Sequence, residues 1–423
     1  MRIAIIGAGP GDLSLISPYA TNLIQRADVV FSSERLFDLF RHLNKNTRYA
    51  AMGDIEHLVK EQAVGFAAGI ATGIATGTAE GQVDPVSTDD RLIAVLVSGD
   101  VGFFSLSSTL QAQWSGSGFQ VEWVNGFSSL QYFAAQLQRP YEGIRTISVH
   151  GRDSLVVPHV SYCPEVFVLT GGKTRVQDVI TELVLAGLAS VQVDIGEDLA
   201  MPTQRLVSGT AGDLVHERFG NLAVMLIRNR DYQPAWQIVR DEELIRGKVP
   251  MTKQDVRDIS ITQLQIAPTD TVYDIGAGTG AVAIAMARRA YAGQVLAIEK
   301  NPAALDLLGQ NRLKLGAFNL QIIAGFAPQA LDGLPVADKV FIGGSSGQIA
   351  EILDRVLDRN PLARFVINAI TIETLKDATE ALQARQIDPE IVCLNVARAE
   401  VTGRYHMMKA QNPVYVICGG VKQ

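Results

Sequence analysis

The chain has 423 residues, a length that predicts about two or three domains. Its 47% apolar and 19% charged residues are ordinary for a globular protein, and its net charge of −7 argues against nucleic-acid binding. The three cysteines are far apart, which argues against a disulfide framework or a cysteine-based metal site and favours a reducing compartment. No segment has the features of a signal peptide or a membrane span, so we expect a cytoplasmic location and no membrane partner.

The N-terminal half, residues 1–230, predicts an alternation of strands and helices. Its predicted elements are strand 3–6, helix 20–27 and strands 29–31, 92–97, 120–124, 145–149, 166–169, 191–193 and 222–227. Most of these strands end in Gly, Ser or Asp, and the carboxyl ends of strands are where α/β sheets bind ligands. Residues 67–90 are rich in Gly, Ala and Thr and then polar, which predicts a surface insertion without chemistry.

A break in this pattern predicts a linker at 231–240 and a second α/β domain over 241–423. It begins with a helix at 253–265, for which Thr252 is a plausible N-cap. The further predicted strands are 272–275, 294–298, 320–324, 339–342 and 364–370, with helices at 282–289, 302–315, 348–357 and 373–384. Two last strands, near 391–396 and 414–418, are expected to form a hairpin-like pair.

A glycine turn follows the first strand of this second domain, in the pattern Asp274-x-Gly276-x-Gly278-x-Gly280. Glycines let the backbone approach a ligand, and the following helix presents free N–H groups. Asp274 can neutralise a cation and Glu299, at the end of the next strand, can bind ribose hydroxyls, which together suit S-adenosylmethionine. A nicotinamide dinucleotide stays open, because the turn also fits the dinucleotide fingerprint with an acid about 20 residues on. A purely structural turn also stays open.

Residues 249–419 resemble the CbiT family. The matching stretches are 250–253, 274–280, 297–299, 327–328, 341–345, 368–369, 373–374 and 412–413. The resemblance implies a Rossmann-like class I methyltransferase fold that methylates a corrin precursor at C15 and decarboxylates its C12 acetate. It also implies donor contacts from Thr252, Asp274, Gly276, Ala277, Gly278, Thr279, Gly280, Glu299 and Ala327. Phe326 stands where the family usually has an acid.

The loop after the fourth strand bears on the substrate of this domain. Methylases that act on amide or adenine nitrogens carry Asn/Asp-Pro-Pro-aromatic in this loop. Here Gly343, Gly344 and Ser345 take that place, which suits a wide, flat substrate that approaches the backbone.

The first glycine turn of the chain, Gly7 to Asp12, resembles the beginning of a flavin-binding motif. The third glycine of that fingerprint falls on Asp12, however, and without it the helix does not pack closely on the strand. A flavin or nicotinamide site is therefore disfavoured in this half.

Residues 1–230 instead resemble the tetrapyrrole methylase family, and within it the CbiE branch, which methylates C5. The resemblance rests on the first turn and on stretches 98–100, 127–129, 148–152, 169–171, 196–199 and 221–222. It implies a fold of two α/β lobes with the donor in the cleft between them. By this resemblance the donor site includes Gly99, Asp100, Val101, Ser128, Ser129 and Thr170, while Pro10 and Asp12 line the cleft on the substrate side.

Several polar residues are candidates for the chemistry. His150 and Arg152 either cap main-chain carbonyls at a strand end, or Arg152 binds a substrate carboxylate, or His150 moves a proton. Asn368 and Arg398 are candidates in the second half. The residues that could bind substrate carboxylates, each with a solvated surface charge as the alternative, are Lys253, Arg257, Lys300, Arg398, Arg404, His406 and Lys409.

The two resemblances concern the same ring system, and together they cover almost the whole chain. They imply a bifunctional methyltransferase of vitamin B12 biosynthesis that acts on a precorrin and works as a homo-oligomer. Because methyl transfer from a sulfonium depends mainly on positioning, we expect no metal, protein nucleophile or catalytic triad. Two alternatives stay open: a two-domain flavin or nicotinamide oxidoreductase, and a half that binds the donor without catalysis.

Overall fold

The computed structural model describes residues 1–51, 53–67, 91–151 and 154–420. Most of the predicted insertion, from residue 68 to residue 90, and the candidate Arg152 lie outside the described residues. Within the described part of the chain, no helix has the length and hydropathy that a membrane crossing requires.

A parallel five-stranded sheet forms the first lobe. Its strands are β1 (Arg2–Gly7), β2 (Val29–Ser32), β3 (Thr47–Tyr49), β4 (Leu92–Val97) and β5 (Gln120–Val124), in the order β3-β2-β4-β1-β5. The helices of this region are α1 (Pro18–Arg26), α2 (Glu34–Phe40), α3 (Ile55–Ala67), α4 (Ser107–Trp114) and α5 (Ser129–Gln136). The central strand β4 is buried along its whole length because its six residues are all apolar.

A mixed five-stranded sheet forms the second lobe. Its strands are β6 (Arg145–Ser148), β7 (Glu165–Leu169), β8 (Gln192–Glu197), β9 (Arg205–Thr210) and β10 (Ala223–Arg228), in the order β6-β7-β10-β8-β9. The helices are α6 (Val157–Tyr162), α7 (Val176–Ala186) and α8 (Ala211–Leu214). The lobes meet where Leu130 and Phe133 of α5 pack with Phe167, Leu199 and Leu226 of the second lobe.

A seven-stranded sheet with helices on both faces forms the rest of the chain. Its strands are β11 (Thr271–Ile275), β12 (Gln294–Glu299), β13 (Leu320–Ala324), β14 (Lys339–Ile342), β15 (Arg364–Ala369), β16 (Glu390–Leu394) and β19 (Val414–Gly419). The helices are α9 (Gln254–Leu264), α10 (Ala281–Arg289), α11 (Pro302–Lys314), α12 (Ile349–Leu357) and α13 (Ile372–Gln383). The order is β13-β12-β11-β14-β15-β19-β16, in which the first five strands are parallel and β19 runs antiparallel to both of its neighbours, β15 and β16.

Strands β17 (Ala397–Thr402) and β18 (Tyr405–Ala410) form a separate hairpin that the sequence did not predict. The expected pairing of the last two strands is confirmed as β16 with β19, and the hairpin is inserted between them. The sequence also missed β3 and β9. The prediction that Thr252 caps the first helix of the second half was wrong, because the N-cap of α9 is Lys253 and the Gln254 amide donates to the Asp241 carboxylate.

The two halves of the chain meet in a buried polar contact. The Tyr162 hydroxyl at the end of α6 donates to Asn319 Oδ1 at 2.6 Å, and Asn319 Nδ2 donates to two main-chain carbonyls of the second half. Arg312 Nη2 donates to the Ala186 carbonyl oxygen at 2.9 Å, and Phe318 packs on the core of the second lobe. Burial raises the pKa of the Tyr162 phenol, so its hydroxyl stays a donor.

Candidate functional site

A cavity of about 870 Å³ lies at the carboxyl ends of strands β11, β12 and β14. This is the edge at which parallel α/β sheets bind ligands. Most of the residues that the sequence nominated in this half line it: Thr252, Asp274, Gly276, Ala277, Gly278, Thr279, Glu299, Ala327, Gly343, Gly344, Ser345, Asn368 and Arg398.

The glycine turn holds two loops of the cavity in direct contact. Gly276 has a φ of 77°, and a Cβ atom there would lie 2.6 Å from the carbonyl oxygen of Gly344, in the loop after β14. Any side chain at this position would push the loops apart. The predicted need for glycine here has a clear steric cause, and the two loops together form a narrow backbone floor for a ligand.

Gly280 differs from the other glycines of the turn because it does not line the cavity. It is the N-cap of α10, with a φ of 82°, and a Cβ atom there would overlap the side chain of Leu308 on α11. Its role is to let helices α10 and α11 pack closely. The structure therefore gives no support to the predicted donor contact at Gly280.

Asp274 is a buried carboxylate at the end of β11. It is 0% exposed, and neither of its oxygens has a hydrogen-bond partner among the described residues. Burial raises the pKa of Asp274 from 3.8 to about 7, and the nearby charge of Glu299 raises it further. The main-chain amide of Ala283 lies close enough to oppose this rise, but it does not reach hydrogen-bond geometry. An unpaired buried carboxylate that lines a cavity is suited to a cationic ligand.

Glu299 is held in one orientation by main-chain amides. Its Oε2 accepts from the Gly278 amide, and its Oε1 accepts from the amides of Lys300 and Asn301, all at 2.8 Å. A carboxylate has about four acceptor sites, so Oε2 keeps a lone pair that can still accept from a ligand hydroxyl. The turn and Glu299 are thus fixed relative to each other before a ligand binds.

Basic side chains stand at the rim of the cavity. Lys300 Nζ lies 4.6 Å from the centre of the Phe326 ring and donates to Ser346 Oγ at 3.0 Å. Ser346 belongs to the loop after the fourth strand that the sequence singled out, although it was not nominated as a contact, and it has a φ of 50°. The hairpin contributes two more cations, Arg398 and Lys409, each in an ion pair with a carboxylate.

Other basic candidates are placed differently. Lys253 lines the cavity, but Arg404 and His406 do not. Arg404 lies at the hairpin turn, where its guanidinium donates to the Tyr405 hydroxyl. Arg257 is fully buried, donating to Asp241 Oδ1 at 3.1 Å and to the Thr252 carbonyl oxygen at 2.9 Å. The expectation that Arg257 or Arg404 reaches the substrate is not supported within the chain.

Asn368, at the end of β15, presents an unused donor to the cavity. Its Oδ1 accepts from Ser260 Oγ at 3.1 Å, and its buried Nδ2 has no partner among the described residues. A buried amide without a partner costs free energy, which a ligand acceptor would recover. The predicted role of Asn368 therefore has a geometric basis.

In the first half, three glycine loops meet at the carboxyl ends of β1, β4 and β5. A Cβ atom at Gly7 would lie 2.6 Å from the Gly126 amide nitrogen and 2.8 Å from the Gly99 carbonyl oxygen. The Asp100 carboxylate joins the last two loops, accepting from the amides of Gly102 at 2.8 Å and Gly126 at 3.2 Å. These loops lie beside the second lobe, as the resemblance predicts.

The nominated hydroxyl groups of this half already have partners in the fold. Ser128 caps α5, accepting from the Gln131 amide at 3.1 Å, and Thr170 Oγ1 donates to the Ala223 carbonyl oxygen at 2.7 Å. Val101 is buried and Ser129 half-buried at the first turn of α5. The capping contact leaves the Ser128 O–H free to donate to a bound ligand, whereas Thr170 can contact a ligand only through a remaining lone pair or its main-chain groups.

The remaining nominated residues lie in different settings. Pro10 is buried, whereas Asp12 is exposed and accepts from the Ser14 amide at 2.8 Å, a contact that lowers the pKa of its carboxyl. His150 is exposed, and its ring packs so closely on Gly171 that a Cβ atom there would overlap it.

Two kinds of known protein are similar to this chain: some match only its second half, and one matches nearly its whole length. The cobalt-precorrin-6B C(15)-methyltransferase (decarboxylating) of Salmonella typhimurium is 38% identical over 186 residues, covering 42% of this chain and 94% of that protein. The precorrin-6Y C(5,15)-methyltransferase [decarboxylating] of a Sinorhizobium species is 24% identical over 417 residues, covering 97% of this chain and 94% of that protein. A solved structure of precorrin-6y C5,15-methyltransferase from Geobacter metallireducens is 36% identical, with a TM-score of 0.43, and covers 45% of this chain and 100% of its own.

Two family models match consecutive parts of the sequence. The model described as precorrin methyltransferase domain matches residues 245–418, the part that contains the cavity. The model described as tetrapyrrole (corrin/porphyrin) methylases matches residues 2–215, which is half of the chain. The chain therefore belongs to the tetrapyrrole (corrin/porphyrin) methylase family, and a precorrin methyltransferase domain follows in its second half.

Proposed function

We propose that this chain is a bifunctional S-adenosylmethionine-dependent C-methyltransferase of cobalamin biosynthesis. Its first half methylates a precorrin at C5, and its second half methylates C15 and removes the carboxyl group of the C12 acetate. The observation that carries the proposal is the full-length relationship to a precorrin-6Y C(5,15)-methyltransferase, joined to a cavity with a glycine cradle and an unpaired buried acid. These same features favour methyl transfer over the oxidoreductase alternative.

The residues of the second half fit the methyl donor. Gly276 and Gly278 let the main chain approach it, Glu299 Oε2 accepts from a ribose hydroxyl, and Asp274 faces its positive charge. The donor supplies a methyl group that is already activated on a sulfonium. The protein therefore has to orient the ring carbon and exclude water rather than activate a nucleophile.

The same cavity has groups suited to a polycarboxylate substrate. Lys300, Arg398 and Lys409 can pair with carboxylates at its rim, and Asn368 Nδ2 can donate to an acceptor on its floor. Once the carboxylate side chains of the substrate neutralise these rim cations, the reacting acetate enters a less hydrated region. In this step the bond between the acetate CH2 and its carboxyl carbon breaks, the electron pair passes into the conjugated ring, carbon dioxide leaves and a proton takes its place. Desolvation of the carboxylate favours this loss.

We propose domain boundaries at residues 1–230 and 241–423, with a linker at 231–240. In support, residues 229–253 contain no helix or strand, and Asp241 is paired with Arg257 of the second half. In the first half, the donor and the substrate would bind where loops after β1, β4 and β5 face the second lobe. A cytoplasmic location, without nucleic-acid or membrane partners, stays a prediction from composition.

We also propose a homo-oligomer in which a second copy covers the hairpin β17–β18. Both strands are exposed throughout, and Val401, Tyr405, Met407 and Met408 are between 59% and 72% exposed. Apolar groups gathered on one protruding element mark an interface. Light scattering should give an oligomer for the wild type and a smaller mass for the double variant Met407→Ser and Met408→Ser. A monomeric wild type would contradict this proposal.

The function is tested by mass spectrometry and NMR on a metal-free precorrin incubated with S-adenosylmethionine and the full chain. We expect two methyl additions and one loss of carbon dioxide. Asp274→Asn should suppress C15 methylation and decarboxylation while C5 methylation continues, and Arg404→Gln should behave like the wild type. A chain that binds the donor and leaves the ring unchanged would refute the substrate, and a cobalt-bearing ring would be tested next.

A further inference from the structure

Arg35 of helix α2 is a half-buried cation without a carboxylate partner among the described residues. Its Nη1 donates to the Pro10 carbonyl oxygen at 3.3 Å, and its Nη2 donates to Ser98 Oγ at 2.6 Å. These two acceptors belong to the loops that follow β1 and β4. A guanidinium has more N–H donors than these two contacts use.

Arg35 lies at the junction of the two lobes. Its Nη1 would lie 3.6 Å from a Cβ atom at Gly11, and that same Cβ atom would lie 2.9 Å from Met201 Cγ and 3.2 Å from the Leu199 carbonyl oxygen of the second lobe. The guanidinium therefore lies beside the substrate-side loop of the first half, opposite the segment that follows β8.

The electrostatic setting of Arg35 is that of a desolvated charge. Burial lowers the pKa of the guanidinium, and the more distant carboxylate of Asp198 opposes this only in part. Asp198 itself accepts from Thr203 Oγ1 at 3.0 Å. Removing water from a cation without giving it an ion-pair partner costs free energy, and an incoming carboxylate would recover that cost.

A purely structural role, in which Arg35 only ties two loops together, predicts different consequences. Two neutral acceptors can be satisfied by a shorter or uncharged donor, so a structural tie does not need a full charge at this position. Bidentate recognition of a carboxylate does need the planar, charged fork of arginine.

We propose that Arg35 binds a carboxylate side chain of the tetrapyrrole at the junction of the two lobes and so selects carboxylated macrocycles for the first methylation. The proposal rests on the function proposed above. It makes Arg35 a specificity-determining residue of the first half, one that the sequence analysis did not nominate.

The test uses the full chain, because its second half is an internal control. Arg35→Gln should raise the KM for C5 methylation roughly tenfold or more, the loss expected for a charge-assisted hydrogen bond, with a smaller change in kcat. Affinity for S-adenosylhomocysteine, measured calorimetrically, and C15 methylation should be unchanged. Arg35→Lys should recover part of the KM, because it restores the charge without the fork. Arg41→Gln, which removes an exposed arginine near the end of the same helix, should have no effect.

The outcomes separate this inference from the function on which it rests. A wild-type chain that methylates C5, with an unchanged KM in Arg35→Gln, would refute the role of Arg35 alone. Parallel losses of thermal stability, donor affinity and kcat in Arg35→Gln would also refute it, because they indicate a structural tie. A wild-type chain that methylates neither carbon would refute the proposed function itself.

Discussion

Asp274 is buried without a hydrogen-bond partner in the described part of the chain, and its burial affects how the ligand-free protein responds to pH. The folded state binds the proton of this carboxyl more tightly than the unfolded chain, because the pKa rises from 3.8 to about 7 on folding. The contribution of Asp274 to the free energy of unfolding is therefore most favourable below pH 4 and falls as the pH rises to about 7.

From this we predict that Asp274→Asn raises the melting temperature of the ligand-free protein at pH 8 and has a smaller effect at pH 5, where only part of the loss has occurred. For the wild type, affinity for S-adenosylmethionine should increase as the pH rises through about 7, since the charged carboxylate binds the cation. Thermal scans of both proteins at the two pH values measure the melting temperature, and calorimetric titrations across this range measure the affinity. A wild-type affinity that does not change with pH would show that Asp274 does not face the donor's charge.

Arg257 and Asp241 form a fully buried ion pair beneath the cavity loop, with the two side chains 0% and 7% exposed. We predict that Arg257→Met lowers the free energy of unfolding by about 3–5 kcal/mol, because Asp241 would be left charged and unpaired. Chemical denaturation provides the measurement. Arg355→Met is the matched control, since its pair with Asp332 is exposed and should contribute no more than about 1 kcal/mol. Equal losses in the two variants would contradict the assigned burial.

At the scale of elements, the hairpin β17–β18 is the part of the second half that reaches over the cavity. We predict that Arg398→Gln combined with Lys409→Gln raises the KM for C15 methylation by well over roughly tenfold, because two charge-assisted contacts to substrate carboxylates are lost. Steady-state kinetics of both methylations measure this, with C5 methylation as the unchanged reference. Arg404→Gln, at the turn of the same hairpin, should leave both reactions unaffected. An effect of Arg404→Gln equal to that of the double variant would refute the placement of the hairpin.

The elements also show how far sequence patterns reach in this protein. The buried apolar run of β4 was predicted with its observed bounds, because burial imposes a recognisable composition. The hairpin was missed because neither of its faces is buried, so its strands carry no such pattern.

Most of the candidate site could be predicted for a different reason. Glycines and acids at strand ends have a fixed place in α/β sheets, and the cavity contains Asp274, Gly276 and Glu299 as expected. The failures came from tertiary contacts between distant residues. Nothing local indicates that Arg257 pairs with Asp241, or that Arg35 contacts two neutral oxygens and no carboxylate of the described residues.

For the whole molecule, the contact between the halves predicts a shared unfolding transition. Tyr162→Phe removes the donor to Asn319 Oδ1, which would leave a buried acceptor unsatisfied at a cost of about 1–3 kcal/mol. We expect one calorimetric transition for the wild type and a lower melting temperature, or two separated transitions, for the variant. Tyr141→Phe, at an exposed tyrosine of the first half, is the control. An unchanged thermogram for Tyr162→Phe would indicate that the halves unfold independently.

The packing of Tyr162 against Asn319 has a consequence for how the protein can evolve. Two separate enzymes can be adjusted by changing the abundance of either one, whereas a fused and docked pair is always made in equal amounts. A destabilising substitution in one half also lowers the amount of the other, because the two share a buried boundary. Selection on the balance of the two reactions therefore has to act on the residues that line each site.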